Sequence, residues 1–191
     1  MSSASALTLH TKSTFNEESL ETFLEGRGEP DWLAQRRRDA LAMFLATAWP
    51  SARDEEWRRT DIRAFKLNAF EPPTAGPPRA DDSAAIEPLY QALATHYATG
   101  IAQVNGAVTR TADAAQLGGA VFVDLATAAK EHPALLERLL LTRAVSPSAD
   151  AFAALHAAFW TGGTLLYVPK GVKVEAPLFS LVALAGEGRV D

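Results

Sequence analysis

The stretch that decides the fold runs from residue 159 to residue 184 and reads Phe-Trp-Thr-Gly-Gly-Thr-Leu-Leu-Tyr-Val-Pro-Lys-Gly-Val-Lys-Val-Glu-Ala-Pro-Leu-Phe-Ser-Leu-Val-Ala-Leu. Residues 164–168 are apolar, β-branched or aromatic, which predicts a buried strand that Pro169 ends. Residues 172–176 alternate apolar and charged side chains, which predicts a second strand with one solvated face. Residues 178–185 predict a third strand, apolar on both faces. Such short strands suit a coiled β-solenoid or a β-sandwich, and the pattern alone does not choose between them.

The same stretch carries a longer motif. Residues 157–163 (Ala-Ala-Phe-Trp-Thr-Gly-Gly), 167–172 (Tyr-Val-Pro-Lys-Gly-Val) and 176–178 (Ala-Pro-Leu) resemble the SufB/SufD family, the scaffold proteins of the Suf iron–sulfur cluster assembly machinery. The resemblance implies that this segment enters a right-handed parallel β-helix. The alternation of side chains by itself only permits that architecture.

A second part of the chain shows the same resemblance. Residues 50–61 contain Pro-Ser, Glu-Glu-Trp-Arg and Thr-Asp in family order, and residues 30–33 read Pro-Asp-Trp-Leu before an arginine-rich helix. These features are more similar to SufD than to SufB. The family usually has an aromatic residue just before Thr60, where this chain has Arg59, so no packing role is carried over to that position.

Composition excludes several classes of function. The 191 residues are 48% hydrophobic and carry a formal net charge of -5, which argues against a general nucleic-acid-binding protein. There is no cysteine, so the chain can form no disulfide and offers no thiolate to an iron–sulfur cluster. No segment approaches the roughly 20 apolar residues that span a bilayer, so no membrane insertion is expected. We expect a cytoplasmic protein.

The predicted fold class is α+β: an N-terminal helical module, a mixed α/β segment, and the first strands of the implied β-helix. The boundaries are a flexible tail at 1–14, the helical module at 15–70, a proline-rich linker at 71–83, the mixed segment at 84–160 and the start of the β-helix core at 161–191. The strand pattern resumes just where the sequence stops, which predicts a truncated core. Its C-terminal strands should therefore self-associate through the open edge or stay disordered.

Local signals predict the remaining elements. Helices are expected at 16–26, 31–48, a short one after Ser51 and Asp54, and at 84–98, 125–131, 134–141 and 151–160. Pro30 suits the first position of the second helix, and Pro88 suggests that the regular part of the fourth begins there. Asn105-Gly106 predicts a hairpin between 101–104 and 107–109, and a further strand is expected at 120–123, leading into Asp124 as the cap of the next helix. Asp150 is expected to introduce the helix at 151–160, with Phe152, Leu155 and Phe159 as its apolar face.

The sequence predicts no catalytic, cofactor-binding or metal-binding residue. It has no phosphate-binding loop and no nucleophile elbow, and its four histidines are scattered singly. His96 is interpreted as a surface or partly buried side chain, and His132 as part of a helix corner. His156, beside Phe152 on the last helix, is hypothesised to satisfy backbone groups near the first strands. Three tryptophans are interpreted as core or interface anchors: Trp32, Trp49 and Trp57.

Arginines dominate the charge of the helical module. Six of them could form a patch for phosphate or nucleic acid: Arg36, Arg37, Arg38, Arg58, Arg59 and Arg63. Acidic residues are interleaved with them: Asp39, Asp54, Glu55, Glu56 and Asp61. We therefore interpret the arginines as solvated faces balanced by these acids, and not as a site.

The resemblance implies a specific function, which the composition alone does not indicate. It implies the N-terminal region of a SufD-like scaffold subunit of the SufBCD complex, non-catalytic by itself and without a cofactor of its own. The full-length protein would then pair with a SufB-like subunit and a SufC-like ATPase. Two alternatives stay open: an independent adaptor that binds a partner through its helical face or strand edge, and a small hydrolase.

Overall fold

The computed structural model describes residues 13–63, 65–74, 80–113, 115, 117–175 and 177–184. Most of the predicted tail, part of the predicted linker and residues 185–191 lie outside this set. None of the described helices has the length and apolar character needed to span a bilayer. The described residues divide into two compact units. The first contains residues 13–74 and Arg138–Trp160, and the second contains residues 80–137 and 161–184.

Six α-helices and five strands are formed by the described residues. The helices are α1 (Glu17–Glu25), α2 (Asp31–Ala46), α3 (Ala80–Ala94), α4 (Leu125–Glu131), α5 (Pro133–Leu139) and α6 (Ala151–Phe159). The strands are β1 (Thr99–Val104), β2 (Ala107–Arg110), β3 (Val121–Asp124), β4 (Thr164–Tyr167) and β5 (Leu178–Ala183). Short 3-10 turns lie at Glu55–Trp57 and Leu67–Ala69. The predicted α+β class is confirmed.

Side-chain caps begin three of the helices. Asn16 and Ser19 form a reciprocal capping box at α1, with both bonds at 3.0 Å. Asp124 accepts from the N–H of Thr127 at α4, as the sequence predicts. Asp150 likewise caps α6. Pro30 lies at the N-cap of α2 and not at its first helical position, because its carbonyl already accepts the first bonds of that helix.

The core of the first unit forms where α2 packs against α6. The buried face of α6 is mostly alanine, with Ala154 and Ala158 fully buried, and these small side chains let the two helices approach closely. The predicted apolar face of α6 is therefore only partly correct. Phe159 is buried, whereas Phe152 and Leu155 are half-buried beside the alanines. Ser13 and Phe15 are also buried in this unit.

The second unit contains a predicted hairpin and a non-local strand pair. Asn105 and Gly106 adopt positive φ angles of 50° and 75°, which gives the tight turn between the antiparallel strands β1 and β2. β5 pairs in parallel with the other edge of β1, so the sheet order is β2-β1-β5. β3 and β4 form a separate antiparallel pair. Helix α3 covers the first sheet, with Ile86 and Tyr90 packed against its buried residues.

Two predictions about this region are wrong. No strand forms over the described residues 172–175, although Val172 and Val174 pack against a cluster around Ile101 and Leu117. The apolar and charged side chains of this segment alternate because every second side chain is packed, although the backbone forms no β-ladder. Helix α3 begins at Ala80, before the predicted residue 84, and contains Pro88 in its interior.

The described strands are too few to show whether the chain enters a parallel β-helix. The described strands contain one parallel pair, β1 with β5, and the other pairs are antiparallel. One parallel pair does not define a parallel β-helix. Because Leu178–Ala183 forms a paired strand, the predicted disorder does not apply to it. Self-association through its edge stays a prediction.

Candidate functional site

The histidines singled out from the sequence do not come together. His96 and His156 are exposed, and His132 forms the C-cap of α4, in agreement with its interpretation as part of a corner. His10 lies outside the described residues. Among the described residues, no group of three or more His, Cys, Asp or Glu side chains could hold a metal ion. The features that stand out instead are the arginines of the first unit.

The three consecutive arginines of α2 have three different environments. Arg36 donates from Nη1 to the carbonyl of Leu140 at 3.0 Å, and its guanidinium lies 5.1 Å from the centre of the Trp32 ring. Arg38 makes a two-point ion pair with Glu21 on the exposed face, with both bonds at 2.7 Å. These two side chains have different partners and do not form a shared patch.

Arg37 is completely buried, which contradicts its interpretation as a solvated residue. Its Nε and Nη2 donate to the carboxylate of Glu29 at 2.7 and 2.8 Å. Its Nη1 donates to the carbonyls of Ala158 and Trp160 at 3.0 and 2.9 Å. The guanidinium also lies 3.9 Å from the centre of the Trp160 ring. One side chain of α2 therefore fixes the C-terminal end of α6, where the motif Ala-Ala-Phe-Trp lies.

The charge partner of Arg37 is shared with a second arginine. Arg27 donates from Nε to Glu29 at 2.5 Å, and the Glu29 side chain is only 7% exposed. Burial raises the pKa of Glu29, but the hydrogen bonds and charges of Arg37 and Arg27 lower it more, so its pKa falls below the ordinary 4.5. Burial also lowers the pKa of Arg37, and the Glu29 carboxylate offsets part of this. The network is a largely buried group of three charges, with Glu29 between Arg27 and Arg37.

A signal in the sequence could have revealed Arg37. The apolar stripe of α2 runs through Leu33, Leu41 and Phe44 at helical spacing, and Arg37 lies four residues from both Leu33 and Leu41. A charged residue in the middle of an apolar stripe needs a buried partner. Glu29, just before the helix, is that partner.

The second feature is a pocket of about 710 Å³ in the segment 49–66, lined by residues 49–53, 58–63, 65 and 66. Its charged lining consists of Arg53, Arg58, Arg59, Arg63, Lys66 and Asp61. Arg63 pairs with Asp61 through two bonds of 2.9 and 2.8 Å, and its guanidinium and backbone N–H lower the pKa of Asp61 to about 2. The pocket is not evident from the sequence, because Arg58, Arg59 and Arg63 are interleaved there with acidic residues.

Aromatic rings support the pocket from one side. Trp49 stacks on Phe65 with ring centres 5.9 Å apart, and Phe65 stacks on Phe70 at 5.5 Å. Trp49 and Trp57 both contact Phe152 of α6, at 4.6 and 5.3 Å. The interpretation of Trp49 and Trp57 as packing anchors is confirmed.

The motif after Trp160 packs within the second unit. The side chain of Gln103 in β1 forms two bonds of 2.8 Å with Gly163, one to its N–H and one to its carbonyl. A Cβ atom on Gly162 would lie 2.7 Å from the carbonyl oxygen of Gly106 and would also collide with Gln103. Glycine at position 162 is therefore required by the close approach of the hairpin to the backbone before β4.

Comparison with known proteins matches the sequence of this chain to one family. The family model described as "SufBD protein N-terminal region" matches residues 19–179. The chain is 30% identical over 183 residues to the iron–sulfur cluster assembly protein SufD of Bacillus subtilis, covering 90% of this chain and 39% of that protein. It is 47% identical over 60 residues to SufB of Bacillus subtilis, covering 31% of this chain and 13% of that protein.

A SufBD family protein of Mycobacterium tuberculosis (strain ATCC 25618 / H37Rv) is 43% identical over 61 residues, which cover 31% of this chain and 7% of that protein. The chain thus spans well under half the length of the curated relatives that it matches.

Proposed function

Because this chain belongs to the SufB/SufD family, we propose that it forms the N-terminal region of a SufD-like scaffold subunit of the SufBCD iron–sulfur cluster assembly complex. The observation that carries the proposal is the family match over residues 19–179, together with 30% identity to SufD over 90% of the chain. The match to SufB covers only 31% of the chain, which favours the SufD-like assignment.

The composition supports a structural role for this region within such a complex. Iron–sulfur clusters are held mainly by cysteine thiolates, and these 191 residues contain no cysteine. We therefore place cluster binding in other segments or subunits, and propose no cofactor and no catalytic residue here. The iron–sulfur cluster is cargo of the assembled complex.

The geometry supports a role in fixing the start of the scaffold. Arg37 binds the carbonyls of Ala158 and Trp160, which fixes the C-terminal end of α6 within the first unit. In the second unit, Gln103 binds both backbone groups of Gly163 immediately before β4. A β-helix needs its first strands held in register, and these contacts restrain the backbone on each side of Thr161.

We further propose that β5 begins the right-handed parallel β-helix in the longer protein. β5 pairs in parallel with β1 and lies at one end of its sheet, so its outer edge can receive a following strand. Val182 and Leu184 are 54% and 59% exposed, and further strands would cover such apolar side chains. The SufB-like subunit would pair through this β-helix, and the SufC-like ATPase would bind beyond it.

Co-expression tests this assignment. The full-length protein should be produced with the SufB-like and SufC-like proteins of the same organism, with a tag on the SufB-like subunit. We expect the three to co-elute from a size-exclusion column and the complex to transfer clusters to an apo-acceptor protein. The matched control replaces the full-length protein with residues 1–191, which should not capture the ATPase.

Two results would contradict the proposal. The first is a full-length protein that elutes alone while the other two subunits form a complex without it. The second is capture of an unrelated partner by residues 1–191 with no dependence on Suf subunits, which would favour the adaptor alternative.

A further inference from the structure

The pocket in segment 49–66 is lined mainly by positive charges, although the chain as a whole is negatively charged. The chain carries a net charge of -5, yet the pocket is lined by five cationic side chains and the single carboxylate of Asp61. Asp61 is already paired with Arg63. Within the described part of the chain, Arg53, Arg58 and Arg59 form no ion pair. The pocket therefore keeps a positive potential that can attract an anionic group.

The neighbouring acids do not cancel this potential from inside the pocket. Glu55 and Glu56 lie in the 3-10 turn and are not among the residues that line it. Asp54 accepts from the backbone N–H of Ser51 at 2.8 Å, which holds its carboxylate in the turn. The fold thus separates cations and acids that alternate in the sequence.

The uncharged wall of the pocket is apolar. Ile62 is half-buried, and Phe65 is 36% exposed. Trp49 and Phe70 both stack on Phe65, at interplanar angles of 17° and 21°, so Phe65 already makes two ring-stacking contacts within the unit. An incoming group meets the exposed part of Phe65 and the Ile62 side chain. This surface suits an aliphatic side chain better than it suits a stacked nucleobase.

The exposure of the cations decides what kind of anion fits. The side chains of Arg53, Arg58, Arg59 and Lys66 are all exposed, and a single ion pair with such a group contributes little to affinity. A pocket of about 710 Å³ is also far larger than one phosphate or carboxylate group. Useful affinity requires several spaced carboxylates bound at once, with an apolar anchor between them.

We propose that this pocket is a docking site for an acidic peptide segment of a partner protein. Carboxylates of the segment bind Arg53, Arg58 and Arg59, and an aliphatic side chain packs against Ile62 and Phe65. Binding here neither requires nor follows from a role in cluster assembly.

The test uses the 191-residue chain and a fluorescein-labelled peptide, Gly-Glu-Glu-Leu-Glu-Glu-Gly, followed by fluorescence anisotropy. We expect saturable binding that weakens between roughly 50 and 150 mM salt. The double variant Arg58→Gln/Arg59→Gln, which removes two exposed ion pairs with the peptide, should bind about 2- to 30-fold more weakly. The matched control Arg138→Gln/Arg143→Gln removes the same charge from exposed positions of the same unit outside the pocket, and should bind like the unchanged chain.

Two further measurements separate the proposed segment from other anions. Replacing Leu in the peptide by Gln should weaken binding to the unchanged chain, and Ile62→Asn should remove that difference. Equal losses in the two double variants, or no saturable binding, would overturn the proposal. Pyrophosphate or ATP binding more tightly than the peptide, and displacing it, would instead identify a small-anion site. Unfolding midpoints of all variants would verify that the pocket variants remain folded.

Discussion

Replacing Arg37 by methionine should strongly destabilise the first unit. The substitution leaves the buried Glu29 carboxylate with Arg27 as its remaining charged partner, and it removes the donor to the carbonyls of Ala158 and Trp160. Removing one partner of a buried ion pair costs about 3–5 kcal/mol. Since small domains unfold with about 5–15 kcal/mol, this loss is a large part of the total stability.

Urea unfolding followed by tryptophan fluorescence measures this effect in the correct unit. All four tryptophans of the chain lie in the first unit: Trp32, Trp49, Trp57 and Trp160. The matched control is Arg38→Met, the next residue of the same helix, whose ion pair with Glu21 is about half exposed on both sides. Solvent screens that pair, so its loss should scarcely move the unfolding midpoint.

Equal unfolding midpoints for Arg37→Met and Arg38→Met would refute the reasoning, because burial is the main difference between the two ion pairs. A second variant makes the cause specific. In Arg37→Met/Glu29→Leu the buried carboxylate that has lost its main partner is gone, so this double variant should recover part of the stability lost in Arg37→Met. Further loss in the double variant would show that Glu29 acts mainly through Arg27.

Three other measurements test the remaining contacts. Because the pKa of Glu29 lies below 4.5 in the folded chain, its contribution to stability is complete above that pH and is lost as the pH falls through its folded pKa; the urea midpoint should drop in acid, and Glu29→Gln should flatten that drop. Gln103→Leu leaves the N–H and carbonyl of Gly163 without their partner and should destabilise the second unit by about 1–3 kcal/mol, measured by amide hydrogen exchange. Asp150→Ala removes the cap on the N–H of Ala153 and should cost about 1 kcal/mol in the fluorescence-detected unfolding of the first unit.

Elements specified by local chemistry were predictable from the sequence. The hairpin at Asn105-Gly106 and the caps at Asp124 and Asp150 depend on residues within a few positions of each other, and all three lie where the sequence places them. The parallel pairing of β5 with β1 joins segments about 80 residues apart, and no local pattern specifies it. The sequence therefore does not predict which strands pair with each other.

Alternation of apolar and charged side chains does not predict a strand where no neighbouring strand is present to pair with it. Residues 172–175 alternate like a strand, but they pack Val172 and Val174 onto a cluster without forming a ladder in the described structure. The apolar face predicted for α6 is only partly correct for a related reason. Hydropathy favours Phe152 and Leu155, whereas close approach to α2 requires alanine at the contact, and packing geometry rather than hydrophobicity selects the buried face.

The arginines show how a charge run should be interpreted. Successive residues of a helix differ by about 100° in direction, so Arg36, Arg37 and Arg38 cannot share one environment. Assigned to faces, Arg37 falls on the apolar stripe and must be paired inside, while Arg38 faces solvent. Arg58 and Arg59 follow the 3-10 turn Glu55–Trp57, and both line the pocket. It follows that Arg37→Met should change stability, whereas Arg58→Gln/Arg59→Gln should change peptide binding and leave the unfolding midpoint in place. The opposite pattern would mean that net charge, and not position on the fold, determines what these arginines do.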